Sequence, residues 1–439
     1  MKKSKFPIVI TPYLIIYGAF IVCAIVGMII SPDAFHKFFS ATQLPRAIPP
    51  QLPHRSYYWD IELYANMALQ NTCTAFYPLW GFIVGWIFHP QNLEQFAHGM
   101  KITATAFFLI STPLVFWVFQ KAFKNQYLAL IITLAYTVNP MAIFRVIGYT
   151  ESLFSLLAIL FIWLLLKENK LNEKIKLILL SLLVIFMALT RPVLIQMIFA
   201  STLSLITIFL LTKQVRINHI FRTITICISS ILGYSIYGFS CLQLRGDFFA
   251  PFHDQKLWGK KLGLHLDLLF FPKSPLFDLL GLYLPIIIFI IALFVIYWKI
   301  KNYQPSVFVP KIFIWDILIM YPPVLTLAYI FTSIFTLFRG VKKQIITSKF
   351  TQSLQDNYVF WFCMYFSIIN SLIVFFSQNR LASLARYIFA IPFFFLALGY
   401  LYCCFPGKRK YKTLLFMTII SGFGLVEQWI NYGKDQWLG

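Results

Sequence analysis

The stretch PIVITPYLIIYGAFIVCAIVGMII, residues 7–30, carries no charged side chain and is long enough to cross a bilayer as a helix. Similar apolar segments recur along the chain. The sequence is 59% hydrophobic and only 12% charged, with a mean hydropathy of +0.76. A soluble domain carries roughly 25% charged residues. We therefore expect an all-α polytopic membrane protein, and we exclude the water-soluble enzymes.

Hydropathy predicts further spanning helices after the first. They are expected at 99–120, 126–145, 149–166, 175–190, 193–212, 219–241, 279–298, 358–377, 386–405 and 412–430. Segment 76–88 is too short to span, so we expect an interfacial or re-entrant helix there. Segment 312–338 is interrupted by Pro322-Pro323. The chain thus reads as one transmembrane domain over 1–439, with about 11–13 membrane helices if each apolar run is a span.

Basic residues set the expected orientation. The 37 Lys and Arg against 15 Asp and Glu give a net charge of +22, but they sit in short loops between apolar runs, which favours cytoplasmic loops over a nucleic-acid surface. With the N-terminus inside, the first segment is an uncleaved signal-anchor, and 31–98 and 242–278 are large external loops with interfacial helices. This orientation requires 305–355 to form an inserted hairpin. A single crossing there would instead invert the last three spans.

Several charged side chains fall on the external side. Carboxylates are scarce in this chain, and one kept beside a membrane is more often functional than not. The candidates are Asp60, Glu62, Arg145, Glu151, Arg191, Asp247 and Arg386. Taken singly, each has an ordinary explanation. The arginines could contact lipid headgroups, Asp60 could cap the N-terminus of a helix, and Glu151 could be an acid favoured in the first turn of a helix. Taken together, they predict a site that binds an anion and holds a base.

This combination suits one class of reaction. Guanidinium groups match phosphate oxygens, and a carboxylate can deprotonate a hydroxyl nucleophile. We therefore expect glycosyl transfer from a polyprenyl-phosphate sugar. No metal or other cofactor is expected, because the leaving group is a single phosphate whose charge fixed arginines can stabilise.

The motifs resemble those of the PIG-V family of GT-C glycosyltransferases, the GPI mannosyltransferases and their prokaryotic relatives. They run in the family's order over most of the chain. The matching residues are Trp59-Asp60, Ala75-Phe76-Tyr77-Pro78-Leu79, Asn139-Pro140, Tyr149-Thr150-Glu151-Ser152-Leu153-Phe154, Thr190-Arg191, Gly246-Asp247 with Gln255 and Trp258-Gly259, and Arg386-Tyr387 with Pro392. One departure is Leu63-Tyr64, where the family often has His-Phe.

The resemblance implies a GT-C-type bundle and a dolichyl or other polyprenyl-phosphate mannose donor. It implies inversion at the sugar carbon and a lipid-linked or glycolipid acceptor, with a small membrane subunit as a possible partner. Asp60 would be the general base, with Glu62 and Glu151 orienting it or binding sugar hydroxyls. The remaining substrate-binding residues would be Arg191 and Arg386 for phosphate with Arg145 behind them, together with Trp59, Tyr149, Asp247, Gln255, Trp258 and Tyr387.

Other assignments remain open on the sequence alone. The donated sugar can be glucose or arabinose within the same fold. A lipid-linked saccharide flippase or other transporter would place charges along a path through the membrane, and a non-catalytic assembly subunit is a third class. The membrane is expected to be a bacterial inner membrane with a periplasmic site, or else the endoplasmic reticulum with a luminal site. The seven scattered cysteines predict neither a disulfide framework nor a zinc site.

Overall fold

The computed structural model describes residues 10–39, 60–166, 169, 171–258, 260, 262–270, 276–300, 354–377, 381, 383–404, 409–436 and 438. This described part consists of helices and connecting turns, without a strand. Seven of its helices are long and apolar enough to cross a membrane. They are Thr11–Ile30, Leu93–Phe123, Leu194–Thr212, Ile217–Arg245, Leu276–Leu293, Tyr358–Ser377 and Tyr411–Gly433. The predicted class, an all-α polytopic membrane protein, is confirmed.

The helices follow the predicted spans closely. In chain order they are α1 Thr11–Ile30, α2 Pro32–Phe39, α3 Asp60–Gln70, α4 Pro78–Phe88, α5 Leu93–Phe123, α6 Gln126–Thr137, α7 Glu151–Leu165, α8 Glu173–Thr190, α9 Leu194–Thr212, α10 Ile217–Arg245, α11 Ala250–His253, α12 Asp267–Phe270, α13 Leu276–Ile300, α14 Tyr358–Ser377, α15 Leu384–Phe389, α16 Phe393–Cys404 and α17 Arg409–Gly433. Two 3-10 turns, Pro140–Arg145 and Asp254–Trp258, follow α6 and α11.

Two of the predicted spans are interrupted rather than continuous. Span 126–145 ends as a helix at Thr137, and span 386–405 is divided between α15 and α16. Pro140 and Pro392 explain both breaks, since proline cannot donate the backbone hydrogen bond that would continue a helix through it. The two breaks touch: the Asn139 side chain donates to the carbonyl of Phe389 at 3.0 Å. Irregular backbone at membrane depth is tolerated where it is buried in protein, as here.

Polar contacts tie one end of the bundle together. Arg222, near the start of α10, donates to the carbonyl of Leu165 at the end of α7 at 3.1 Å and pairs with Glu173 at the start of α8 at 3.2 Å. Thr223 shares a 2.9 Å hydrogen bond with Tyr358 at the start of α14. We call this the basic end, because the predicted cytoplasmic Lys and Arg clusters adjoin these helix termini. The opposite end, where α3, α5 and α7 begin and α8 and α10 end, is the site end.

The helices α13 and α14 run antiparallel. Ser371 donates to the carbonyl of Gly281 at 2.8 Å near the site end, and the rings of Phe289 and Trp361 lie 6.4 Å apart further along. The chain therefore leaves α13 and enters α14 at the basic end. This agrees with the requirement that the hairpin segment start and finish on one side. Segment 312–338 and its Pro322-Pro323 lie outside the described residues.

A disulfide joins the first large loop to α10, which the sequence did not predict. The Cα atoms of Cys73 and Cys241 are 5.3 Å apart, and the two positions are separated by 168 residues. Tyr237, one turn before Cys241, donates to the carbonyl of Phe76 at 2.7 Å and lies 3.1 Å from the amide of Thr74. The expectation of no disulfide was wrong because cysteines this far apart give no spacing signal.

We expect the double variant Cys73→Ser/Cys241→Ser to unfold at a lower temperature than wild type, because a cross-link over a long loop stabilises by roughly 2–4 kcal/mol. Either single variant should lose about as much as the double, since each removes the same bond. Thermal unfolding in detergent measures this, with Cys23→Ser as the control at a free thiol. Labelling of both Cys73 and Cys241 by a maleimide in unfolded, unreduced protein would contradict the cross-link.

Candidate functional site

Four charged side chains from distant parts of the sequence meet at the site end. Arg386 Nη1 lies 2.8 Å from Asp60 Oδ2, and Arg386 Nε lies 3.0 Å from Glu151 Oε1. Arg191 Nη1 lies 3.1 Å from the same Glu151 oxygen. We call Asp60, Glu151, Arg191 and Arg386 the charge cluster. The sequence predicted all four as site residues, and the structure brings them together.

Helix ends position these groups. Asp60 begins α3 and Glu151 begins α7, where the positive end of the helix dipole favours a carboxylate. Arg191 follows the last residue of α8 and precedes Pro192, so its backbone is extended rather than helical. Arg386 lies within the short α15, the first of the two helices of the interrupted span. The cluster thus sits where helices stop and start.

The cluster holds two acids and two arginines, and its net charge is close to zero. Arg386 is buried, and it faces Glu151 and Asp60, which both favour the charged form of its guanidinium. The Arg386 guanidinium is therefore fixed in its charged form. A buried cation of this kind is tolerated because both partners are acids.

The two carboxylates differ in access. The side chain of Glu151 is only 1% exposed, whereas that of Asp60 is 18% exposed. Glu151 Oε1 contacts both arginines as an ion pair without hydrogen-bond alignment, and Glu151 Oε2 has no partner among the described residues. Asp60 Oδ1 makes no ion pair or hydrogen bond within the described part of the chain. Asp60 is therefore the carboxylate that a substrate can reach.

Aromatic rings wall the cluster. The Arg386 guanidinium lies 5.0 Å from the ring centroid of Tyr149 and 5.2 Å from that of Phe144. Arg191 lies 4.8 Å from the ring of Tyr387. Such contacts favour the cations and fix their planes. The structure thus brings Tyr149 and Tyr387, both predicted site residues, beside the cluster.

Tyr64 is a site residue that the sequence did not single out. It lies one helical turn after Asp60 and stacks edge-on against Phe76, with centroids 4.6 Å apart. Burial, and next the charge of Asp60, raise the pKa of Tyr64 well above its usual value, so its hydroxyl stays protonated. The charge of Arg191 opposes this rise in the pKa, and the charge of Glu151 adds to it. The four-residue spacing from Asp60 was the available signal, since i and i+4 share one helix face.

Three predicted residues lie away from the cluster. Arg145 is buried over the ring of Tyr136, 3.9 Å from its centroid, and its Nη2 donates to the carbonyl of that residue at 2.7 Å. Asp247 pairs with His253 at 2.8 Å near the end of α10, and this hydrogen bond lowers the pKa of Asp247. Glu62 lies two residues after Asp60, about 200° around the helix, and makes no described ion pair.

Gln255, a predicted site residue, lies in the second large loop. The ammonium of Lys260 donates to its side chain, and no contact of Gln255 with the charge cluster is found among the described residues. The side chain of Trp258 and the whole of Trp59 lie outside the described residues. Both remain predictions as substrate contacts.

Within the part of the chain that the structure describes, no group of three or more His, Cys, Asp or Glu side chains is arranged to hold a metal ion. The expectation that the reaction needs no metal stays a prediction. The acids of the cluster instead pair with Arg191 and Arg386.

Comparisons with known proteins give distant structural matches. No protein-family profile and no curated protein sequence matches the chain. The structure is similar to the crystal structure of the Archaeoglobus fulgidus oligosaccharyltransferase in the apo form, at 10% identity and a TM-score of 0.40, over 100% of this chain and 57% of that one. The same archaeal protein tethered to an acceptor peptide matches at 12% identity and a TM-score of 0.39, over 97% and 56%.

The chain therefore spans little more than half the length of these structures. Similarity at this level does not establish a shared activity. What is established is a multi-pass helical membrane bundle with a buried charge cluster at one end.

We expect the Asp60–Arg386 contact to show in a double-mutant cycle on unfolding free energy. Asp60→Asn and Arg386→Gln should each destabilise, and their coupling should be about 0.5–3 kcal/mol because they share a partly buried ion pair. The control cycle combines Asp60→Asn with Lys174→Gln, because Lys174 is an exposed lysine at the basic end. Its coupling to Asp60→Asn should be below about 0.5 kcal/mol. Equal coupling in both cycles would rule out the Asp60–Arg386 pair.

Proposed function

We propose that the protein is a GT-C-type membrane glycosyltransferase that moves mannose from a polyprenyl-phosphate donor to a hydroxyl of a lipid-linked or glycolipid acceptor. The observation that supports this is the charge cluster, in which two arginines and an accessible carboxylate meet at one end of a membrane bundle. The resemblance of the sequence motifs to the PIG-V family supports the choice of mannose. The match to an archaeal oligosaccharyltransferase adds no weight of its own.

In the proposed reaction, the acceptor hydroxyl attacks the anomeric carbon from the face opposite the phosphate. The bond between that carbon and the phosphate oxygen breaks, and the polyprenyl phosphate leaves with the bonding electrons. Asp60 takes the proton of the acceptor hydroxyl through Oδ1, the oxygen that Arg386 does not hold. Because the new bond forms on the face of the sugar carbon opposite the bond that breaks, this single displacement inverts the configuration.

Arg191 and Arg386 bind the phosphate in this proposal. Charge grows on the leaving oxygen, and fixed guanidinium groups stabilise it without reorganising. Arg191 contacts the described carboxylates through Nη1, which leaves its other nitrogens for a phosphate oxygen. Among the described residues, Glu151 Oε2 has no hydrogen-bond partner, and a sugar hydroxyl is a donor that would satisfy it. Tyr64, held protonated, is a second candidate donor to the sugar.

We propose that the site end faces an oxidising compartment, the bacterial periplasm or, alternatively, the lumen of the endoplasmic reticulum. The Cys73–Cys241 disulfide supports this, because disulfides persist in oxidising compartments and are rare in the cytosol. Cys241 lies in the last turns of α10, at the site end. The positive-inside distribution of the short loops favours the same orientation.

The proposal predicts that Asp60→Asn lowers kcat for mannosyl transfer by about 10²-fold or more, because a positioned general base contributes that much. The KM for the donor should stay the same or fall, since the neutral amide competes less than the carboxylate with the phosphate for Arg386. The assay adds radiolabelled polyprenyl-phosphate mannose and extracted lipid acceptors to protein in nanodiscs. Glu94→Gln, an exposed acid in the first turn of α5, is the matched control.

Transfer by Asp60→Asn at the wild-type rate would contradict the role of Asp60 as base. Wild-type protein that moves labelled lipid across the bilayer but never changes its covalent structure would favour a flippase. Parallel assays with the glucose and arabinose donors decide the sugar. Activity with one of those and not with mannose would replace the donor while leaving the reaction type in place.

A further inference from the structure

Asp278 is a fully buried carboxylate outside the charge cluster. It lies in the first turn of α13, directly after the second large loop, and is 0% exposed. A buried carboxylate is costly in a membrane protein unless hydrogen bonds satisfy it. No sequence motif marked this residue.

The partners of Asp278 are backbone amides of α15. Its Oδ1 accepts from the Ala385 amide at 2.8 Å, and its Oδ2 accepts from the Ser383 amide at 3.2 Å. These amides belong to the start of α15, where no earlier turn supplies acceptors. A side chain from another helix thus performs the role that an N-cap residue usually performs within its own helix.

The backbone at this point needs such an anchor. Ser383 has a φ of 64°, in the left-handed region that a residue with a side chain adopts only when its surroundings enforce it. Gly281, one turn after Asp278, brings α13 against α15: a Cβ there would lie 3.1 Å from the Ala385 nitrogen. The start of α15 is therefore held both by close packing and by the Asp278 carboxylate.

Arg386 follows Ala385 in the chain, so a contact that holds the Ala385 amide in place also fixes the position of the Arg386 Cα atom. From there Arg386 reaches Asp60 and Glu151 at 2.8 and 3.0 Å. We infer that Asp278 is a positioning residue, which caps α15 from α13 and thereby sets Arg386 between the two carboxylates. This inference deepens the proposed function, since it rests on Arg386 acting on the donor phosphate.

Hydrogen exchange followed by mass spectrometry tests the positioning without any assay of activity. In Asp278→Ala, the amides of Ser383 and Ala385 should exchange about tenfold faster or more, because their hydrogen bonds to the Asp278 side chain are lost. Asp278→Asn retains a carbonyl oxygen and should show an intermediate effect, and it serves if the alanine variant does not fold. Asp267→Asn, an exposed acid on α12, is the control.

The transfer assay on the same variants tests the consequence. Asp278→Ala should lower kcat/KM for the donor by about tenfold or more, with Asp278→Asn between it and wild type. Unchanged exchange at residues 383–389 in both variants would overturn the capping role. Faster exchange with unchanged transfer would overturn the link to Arg386. If the wild-type protein transfers no sugar at all, the proposed function fails, while the exchange data still decide whether Asp278 holds α15.

Discussion

The contact of Arg386 with both Asp60 and Glu151 is the interaction on which the rest of the site depends. It joins α3, α7 and α15, three elements that are far apart in sequence, at one end of the bundle. A cation in this surrounding is stable only while acids face it, and the acids are stable only while the cation remains. The interrupted span allows the geometry, because the break at Pro392 ends α15 after six residues. Arg386 therefore lies in a short helix of its own rather than in the wall of a continuous helix over 386–405.

The near-neutral charge of the cluster has a consequence for binding. An anionic phosphate can approach the arginines only by sharing them with Asp60 and Glu151. Glu151 is buried and paired with two arginines, whereas Asp60 is partly exposed and is paired only with Arg386 among the described residues. In the proposed reaction, a phosphate that binds Arg386 would weaken its contact with Asp60 and leave that carboxylate free to accept a proton. The proposal therefore links donor binding to the availability of the base, with little reorganisation of the surrounding protein.

Much of the fold could be predicted because hydropathy reports burial in lipid directly. The apolar segments located α1, α5, α9 and the other helices long enough to span, and the short apolar run after Pro78 located α4. The charged residues of the site end could be predicted as a group because acids are so scarce in this chain. Their exact partners could not be predicted. Arg145 and Arg386 both lie near a proline break in an apolar segment, but Arg145 contacts the carbonyl of Tyr136 whereas Arg386 contacts Glu151. Asp278 and the disulfide depend on contacts between distant segments, and no local pattern encodes those. The resemblance to PIG-V enzymes stays a prediction.

A structure of the protein bound to a non-transferable polyprenyl-phosphate mannose analogue tests the central claim most directly. We predict that the phosphate contacts Arg191 and Arg386, with the anomeric carbon on the side of the phosphate that faces Asp60 Oδ1. A phosphate bound elsewhere, with the four charged groups of the cluster still paired only to one another, would contradict it.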